Sequence, residues 1–188
     1  IKLFWIEILS YIKSALKFFN DNLTNQGVLF LMVYGNQQSD LIKGLKDVFK
    51  KFEFTQDKES VGNIKNIIEK LHKNHPSKLF LNQFNDFVYD AGVVDIFLHP
   101  KEKFYSLSSL IKELEENNFL IKNFVDGKVA AITKYIIDNP NLLKKFKEFN
   151  LEQQLDIAQM LNWNDRKIEV ICTKIENKKY SKLYNKII

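Results

Sequence analysis

Asp95, His99 and Tyr105 stand close together around Pro100, and a carboxylate, an imidazole and a phenol are the side chains that hold or pass a proton near neutral pH. A second polar point lies at Tyr34, Gly35 and Asn36, where the apolar run VLFLMVY (28–34) stops. If that run is a strand of an open α/β sheet, its carboxyl end borders the crevice where ligands bind. Two readings of the Pro100 group stay open. In one, Tyr34, Asn36, Asp95, His99 and Tyr105 are substrate-side residues. In the other, Asp95 caps a turn, His99 packs beside Pro100 and Tyr105 belongs to the core. No residue pattern singles out a catalytic nucleophile or base.

The other chemistry-bearing residues point to structural roles. His72 and His75 have a spacing that suits two ligands on one helix face, but Pro76 pushes His75 off helical geometry. No carboxylate or third histidine stands at a ligand spacing, so no metal site is expected. Cys172 is the sole cysteine and sits in an apolar run, which suits a buried, inert thiol. The six glycines, at 27, 35, 44, 62, 92 and 127, are widely separated. A Gly-x-Gly loop and a P-loop are therefore absent, and with them the usual means of bringing backbone against a phosphate or ribose. No Gly-x-Ser-x-Gly elbow occurs either.

The elements that must position these residues are legible from periodicity. Over 10–23, Ile12, Ala15, Leu16, Phe19 and Leu23 form a helical stripe. The turn TNQG follows, with Gly27 free to adopt positive φ, and then the buried strand 28–34. Such a run, apolar on both faces, belongs inside a sheet covered by helices. Leu41, Leu45, Val48 and Phe52 mark a helix. Val61, Ile64, Ile68 and Leu71 mark another, with Ser60 as its expected N-cap. Phe80, Phe84, Phe87 and Val88 mark a third. Ser106 is expected to cap a helix carrying Leu107, Leu110, Ile111 and Leu114, closed by Asn117-Asn118 and followed by a strand at 119–125. Residues 129–161 read as helical, broken at 138–141. A last strand over 166–175 places Ile168, Val170 and Cys172 on one face, with Ile171 and Thr173 on the other.

At 188 residues the chain is long enough for one domain with a substantial core. Its net charge of +5 comes almost wholly from lysine, with Arg166 the one arginine. Arginine is the residue that grips phosphate and guanine bidentately, so nucleic acid is an improbable partner. No run is apolar for long enough to span a membrane. The opening residues lack a signal-peptide pattern, and with a lone cysteine a cytoplasmic location is expected.

The order of motifs resembles the downstream part of bacterial class I S-adenosylmethionine-dependent methyltransferases with helical insertions. In that family a helix leads through a Leu-x-Pro-Gly-Gly turn into a strand ending Met-Val-Tyr-Gly. Here Leu23 to Gly27 leads into Leu31-Met32-Val33-Tyr34-Gly35. Asp90 to Pro100 (DAGVVDIFLHP) is similar to the family's Asp-Ala-Gly-Leu-Val-Asp-x-Phe-Leu-His-Pro segment. Tyr105-Ser106 through Asn118-Phe119 resembles the Tyr-Thr or Tyr-Ser start and Gly-Phe end of a following helix, with Asn118 in place of glycine. The closing strand motif is met only by Asn164 and Lys167, without the family's histidine and aromatics.

The resemblance implies an α/β fold, a partial Rossmann-like sheet of about three strands with the last slotted antiparallel between the other two. It implies one domain over 1–188, with helical insertions at about 37–98 and 129–161. The family's Gly-rich cofactor loop lies upstream of the matching region. The expectation is thus a carboxyl-terminal methyltransferase fragment that binds no cofactor by itself, S-adenosylmethionine belonging to the complete enzyme. The strand at 28–34 would present an open edge, to be covered by residues 1–9, by a separate amino-terminal half or by self-association. The alternative is a non-enzymatic helical protein-interaction module.

Overall fold

The computed structural model describes residues 3–7, 12–83, 85–99, 103–125, 139–161 and 167–176. They fall into two compact units, residues 1–37 with 103–188, and residues 38–102.

The first unit is built on a mixed sheet, and the fold is α/β. Its strands are β1 (Leu3–Glu7), β2 (Val28–Gly35), β3 (Phe104–Tyr105), β4 (Phe119–Phe124) and β5 (Lys167–Lys174). The order is β1-β2-β5-β4, with β3 also paired to β2. β5 runs antiparallel to both its neighbours, from Leu29↔Cys172 to Tyr34↔Lys167 on one side and from Phe119↔Lys174 to Phe124↔Val170 on the other. The slotting of the last strand between the other two is as expected. A register shift between Ile121 and Asn123 marks a bulge in β4.

The sheet is larger than three strands, and the expected open edge of β2 is filled from within the chain. β1 pairs parallel with β2 from Leu3↔Val28 to Glu7↔Met32. β3 pairs parallel with Tyr34 and Gly35. Since β5 takes one edge of β2, β1 and β3 share the other, β3 lying in line beyond the carboxyl end of β1. Helix α1 (Ile12–Asn22) makes the crossover between β1 and β2, completing a βαβ unit. At two residues, β3 is too short to show any pattern in a sequence.

Two helices bury their apolar stripes against one face of this sheet. α1 contributes Ile12, Leu16 and Phe19, and α6 (Leu107–Glu116) contributes Leu107, Leu110, Ile111 and Leu114, all in one cluster with Leu29, Leu31, Ile168, Val170 and Cys172. Ser106 caps α6 as expected, its Oγ accepting from Ser109 N at 3.0 Å. The helix stops because Asn118 enters the left-handed region at φ 64°. Gly27 does not: its φ lies outside that region, and what demands glycine is crowding. A Cβ there would come within 2.4 Å of Leu23 Cγ and 2.9 Å of the Thr24 carbonyl. The Asn139-Pro140 pair proves to be a helix start. Asn139 caps α7 (Pro140–Glu148), accepting from Leu142 N at 3.1 Å, with proline in the first turn where no amide is missed. α8 (Leu151–Leu161) follows, and Phe146, Ala158, Leu143 and Ile157 form a small core of their own. The expected helix over 129–138 and the segment 177–188 lie outside the described residues.

The second unit is helical. α2 (Asn36–Lys51) begins directly after β2, followed by α3 (Lys58–Lys70), α4 (Pro76–Leu81), a 3-10 turn at Asn85–Val88, and α5 (Asp90–Val93), which widens into a π-helical turn at Val94–Leu98. Three sequence expectations need correction here. The buried stripe of α2 is Ile42, Leu45 and Phe49, while Val48 and Phe52 are exposed. Both stripes have helical spacing, and only packing chooses between them. The N-cap of α3 is Asp57, whose Oδ1 accepts from Ser60 N at 2.8 Å; Ser60 itself is buried one turn in. The third stripe is no single helix: Phe80 is buried in α4, Val88 is 70% exposed at the end of the separate 3-10 turn, and Phe84 lies outside the described residues. Gly92 is indispensable sterically, since a Cβ would lie 1.9 Å from the Asp86 carbonyl oxygen.

Backbone demands at the two ends of the core helices give a direct test. Asn118→Val should lose about 1–2 kcal/mol to left-handed strain, whereas Asn118→Gly should hold or gain stability. Gly27→Ala should cost about 1–3 kcal/mol through overpacking against Leu23. Urea unfolding followed by circular dichroism measures all three.

Candidate functional site at the carboxyl end of β2

β2 ends without a loop. Gly35 pairs with Tyr105, and Asn36 is already the first residue of α2. Tyr34, buried at 4% exposure, pairs with Phe104 on one edge and Lys167 on the other. The structure therefore brings Tyr34 and Tyr105 onto adjacent strands at the sheet's carboxyl end, with exposed Asn36 next in the chain. Asp95 and His99 belong to the second unit. Asp95 lies half-buried in the π-helical turn, and His99 follows it with extended backbone (φ −67°, ψ 122°).

Tyr105 is a member of the main core, 2% exposed. Around it stand two residues that the sequence did not single out. Lys103 Nζ sits over the Tyr105 ring, 4.5 Å from its centre, and donates to Glu113 Oε2 at 2.9 Å. Glu113 is buried in α6 and has Lys13 of α1 at 3.6 Å from its other oxygen. The Tyr105 hydroxyl meets no hydrogen-bond geometry among the described residues. Lys103 acts on it by nearness of charge, from over the ring rather than in line with the O–H. The Tyr105 hydroxyl, and after it the Glu113 carboxylate, hold the Lys103 ammonium above the ordinary lysine value. Burial pushes the Tyr105 phenol up, against the pull of the Lys103 charge.

On the far side of β3, α8 reaches the same corner. Gln159 Oε1 accepts from Leu107 N at 2.6 Å while its Nε2 donates to the Tyr105 carbonyl at 3.3 Å. Ser108 Oγ donates to Asp156 at 2.7 Å. A glutamine or aspartate on a short helix carries no sign in sequence that it faces inward, so these contacts were not foreseeable.

The other candidates have structural work. His72 and His75 each use Nδ1 to accept a backbone N–H, from Asn74 and Ser77 respectively, both at 3.2 Å. Burial pushes the Cys172 thiol far up, keeping it protonated. Hydrogen bonds from Thr55 and then Ser60 hold Asp57 below the usual carboxylate range, and Lys65 does the same for Asp90 at 2.6 Å.

Among the described residues, no glycine-rich loop stands at the carboxyl end of β2. Backbone that cradles a nucleotide needs a glycine with open space beside it. Leu23 and Thr24 fill the space at Gly27, the Asp86 carbonyl fills that at Gly92, and Gly44 and Gly62 lie in helix interiors. At Gly35 no loop separates strand from helix.

No protein-family model matches the sequence. The structure is similar to that of PKMT2 from Rickettsia typhi, with a TM-score of 0.57 at 12% identity, over 90% of this chain and 34% of that one. PKMT2 from Rickettsia typhi in complex with AdoHcy gives the same TM-score and coverage at 13% identity. The fold is methyltransferase-like. This chain spans about a third of the length of the structures it matches. Among the described residues no helix is long and apolar enough to cross a membrane.

Because Lys103 and Tyr105 both bind their protons more tightly when folded, they favour the folded chain below the ordinary values of 10.5 and 10.0. That contribution is lost as pH rises through the folded values. Tyr105→Phe should therefore change stability by no more than about 1 kcal/mol at neutral pH, since the hydroxyl makes no good hydrogen bond. It should also lessen the loss of melting temperature between about pH 8 and about pH 11, as followed by thermal melts.

Proposed function

We propose that these 188 residues are the carboxyl-side portion of an S-adenosylmethionine-dependent methyltransferase, inactive by themselves, whose cofactor-binding portion lies outside them. The observation that carries this reading is the strand arrangement. A βαβ unit, β1-α1-β2, is followed by an antiparallel strand held between two parallel ones. The likeness to a structure that holds AdoHcy, the product left when S-adenosylmethionine gives up its methyl group, supports the reaction class.

The described sheet ends at β1, a parallel strand. Parallel sheets are ordinarily continued or covered, and an open edge pairs readily with another chain. In this account the cofactor-binding portion extends the sheet beyond β1 and carries the glycine-rich loop. On this reading Tyr34, Asn36 and Tyr105 are substrate-side residues of the first unit, and Asp95 and His99 are substrate-side residues of the second. The methyl acceptor is not specified by any of them.

A second reading, a protein-interaction module, draws on the helical unit, where Phe52, Val88 and Tyr89 are 62%, 70% and 68% exposed. On that reading Val88→Ser with Tyr89→Ser abolishes binding to the partner and leaves cofactor chemistry irrelevant.

Isothermal titration with S-adenosylmethionine and with S-adenosylhomocysteine tests the leading proposal. The isolated chain should give no saturating heat in the micromolar range with either. Micromolar binding to this chain alone would overturn it.

A further inference from the structure

α7 and α8 are joined to the sheet unit by a short and mainly polar seam. Phe146, Leu143, Ala158 and Ile157 pack with one another rather than with the main core. Among the described residues of α8, Leu155 enters the main cluster, and Met160 and Leu161 face outward at 60% and 44% exposure. Beside it stand the pair of Gln159 hydrogen bonds to Leu107 N and the Tyr105 carbonyl, and the Asp156–Ser108 contact. Elements with few buried apolar contacts open well below the global unfolding free energy.

The position of this seam gives it consequence. β3 is held to β2 over two residue pairs, Tyr34↔Phe104 and Gly35↔Tyr105. It fills the line beyond the carboxyl end of β1, the place where an open α/β sheet receives its ligands. The Gln159 amide behaves there as a peptide group would, giving an acceptor to the first amide of α6 and a donor to the last carbonyl of β3. Without it, Leu107 N is one of the unpaired N–H groups of a helix start.

We infer that Gln159 is a latch: it fastens α7–α8 to the corner between β3 and α6, and α7–α8 opens there as one piece. Closed, the latch pairs the Tyr105 carbonyl and Leu107 N. Open, it bares both backbone groups while the Tyr105 side chain stays in the main core. The inference rests on contacts within this chain and stands whether or not the fold methylates anything.

Hydrogen exchange read by mass spectrometry on the full chain tests it. Gln159→Met keeps length and apolar bulk while removing both hydrogen bonds. Gln159→Glu keeps the acceptor for Leu107 N and loses the donor to Tyr105. In the Met variant, amides of α7, α8 and Leu107 should exchange roughly tenfold faster, with those of β2, β4 and β5 unchanged. The Glu variant should fall between the Met variant and the unaltered chain, and it carries the test if the Met variant does not fold. Unchanged exchange in α7–α8 would overturn the latch. Equal acceleration in every element would overturn it too, since Gln159 would then support the whole unit rather than hold one piece shut.

Discussion

The insertion of β5 between β2 and β4 is the interaction on which the sheet unit depends. β2 and β4 run parallel to each other and share no hydrogen bonds; each is joined to β5 alone along that side. One strand thus satisfies the facing backbone of two others. It also supplies Ile168, Val170 and Cys172 to the face that α1 and α6 cover. Take β5 away and β2, buried on both faces, loses a full edge of paired N–H and carbonyl groups, each costly to bury unpaired. Because β5 lies far from β2 in the chain, this pairing is also a slow one to form.

The other edge of β2 carries the functional interest. β1 covers its first part and β3 its last two residues, so the carboxyl end of the sheet is bordered by β3, the start of α2 and the start of α6. The polar groups collected there serve position before chemistry. Lys103 and Glu113 balance each other against the Tyr105 ring, and Gln159 satisfies backbone at the β3–α6 corner. None of them forms a nucleotide cradle. The likeness to PKMT2 is one of fold, and it spans about a third of that chain.

Much of the fold was legible because apolar periodicity in the sheet unit admits one answer. Ile12, Leu16 and Phe19, then Leu107, Leu110 and Leu114, are buried as their spacing predicts, and Ser106 and Asn118 mark the ends of α6 by local chemistry alone. The helical unit was harder to read. In α2, Leu41-Leu45-Val48-Phe52 and Ile42-Leu45-Phe49 have the same period, and the choice belongs to tertiary packing. Asp57 outcompetes Ser60 as a cap because both stand at the right distance from the helix and the carboxylate accepts more strongly. The place of Tyr34 and Asn36 at the end of a strand was legible from the end of an apolar run. Glu113 and Gln159 were not found, because a glutamate and a glutamine on amphipathic helices look like solvent-facing residues until the fold turns them inward, and Lys103 was not found because it stays exposed and is drawn in only by its partners.

Cross-strand proton–proton distances in solution test the central arrangement most directly. Nuclear Overhauser contacts should link β5 to both neighbours in the antiparallel register, Leu31 with Val170 and Ile121 with Cys172 among them, with none between β2 and β4. Direct β2–β4 contacts, or contacts from β5 to only one of the two, would contradict it.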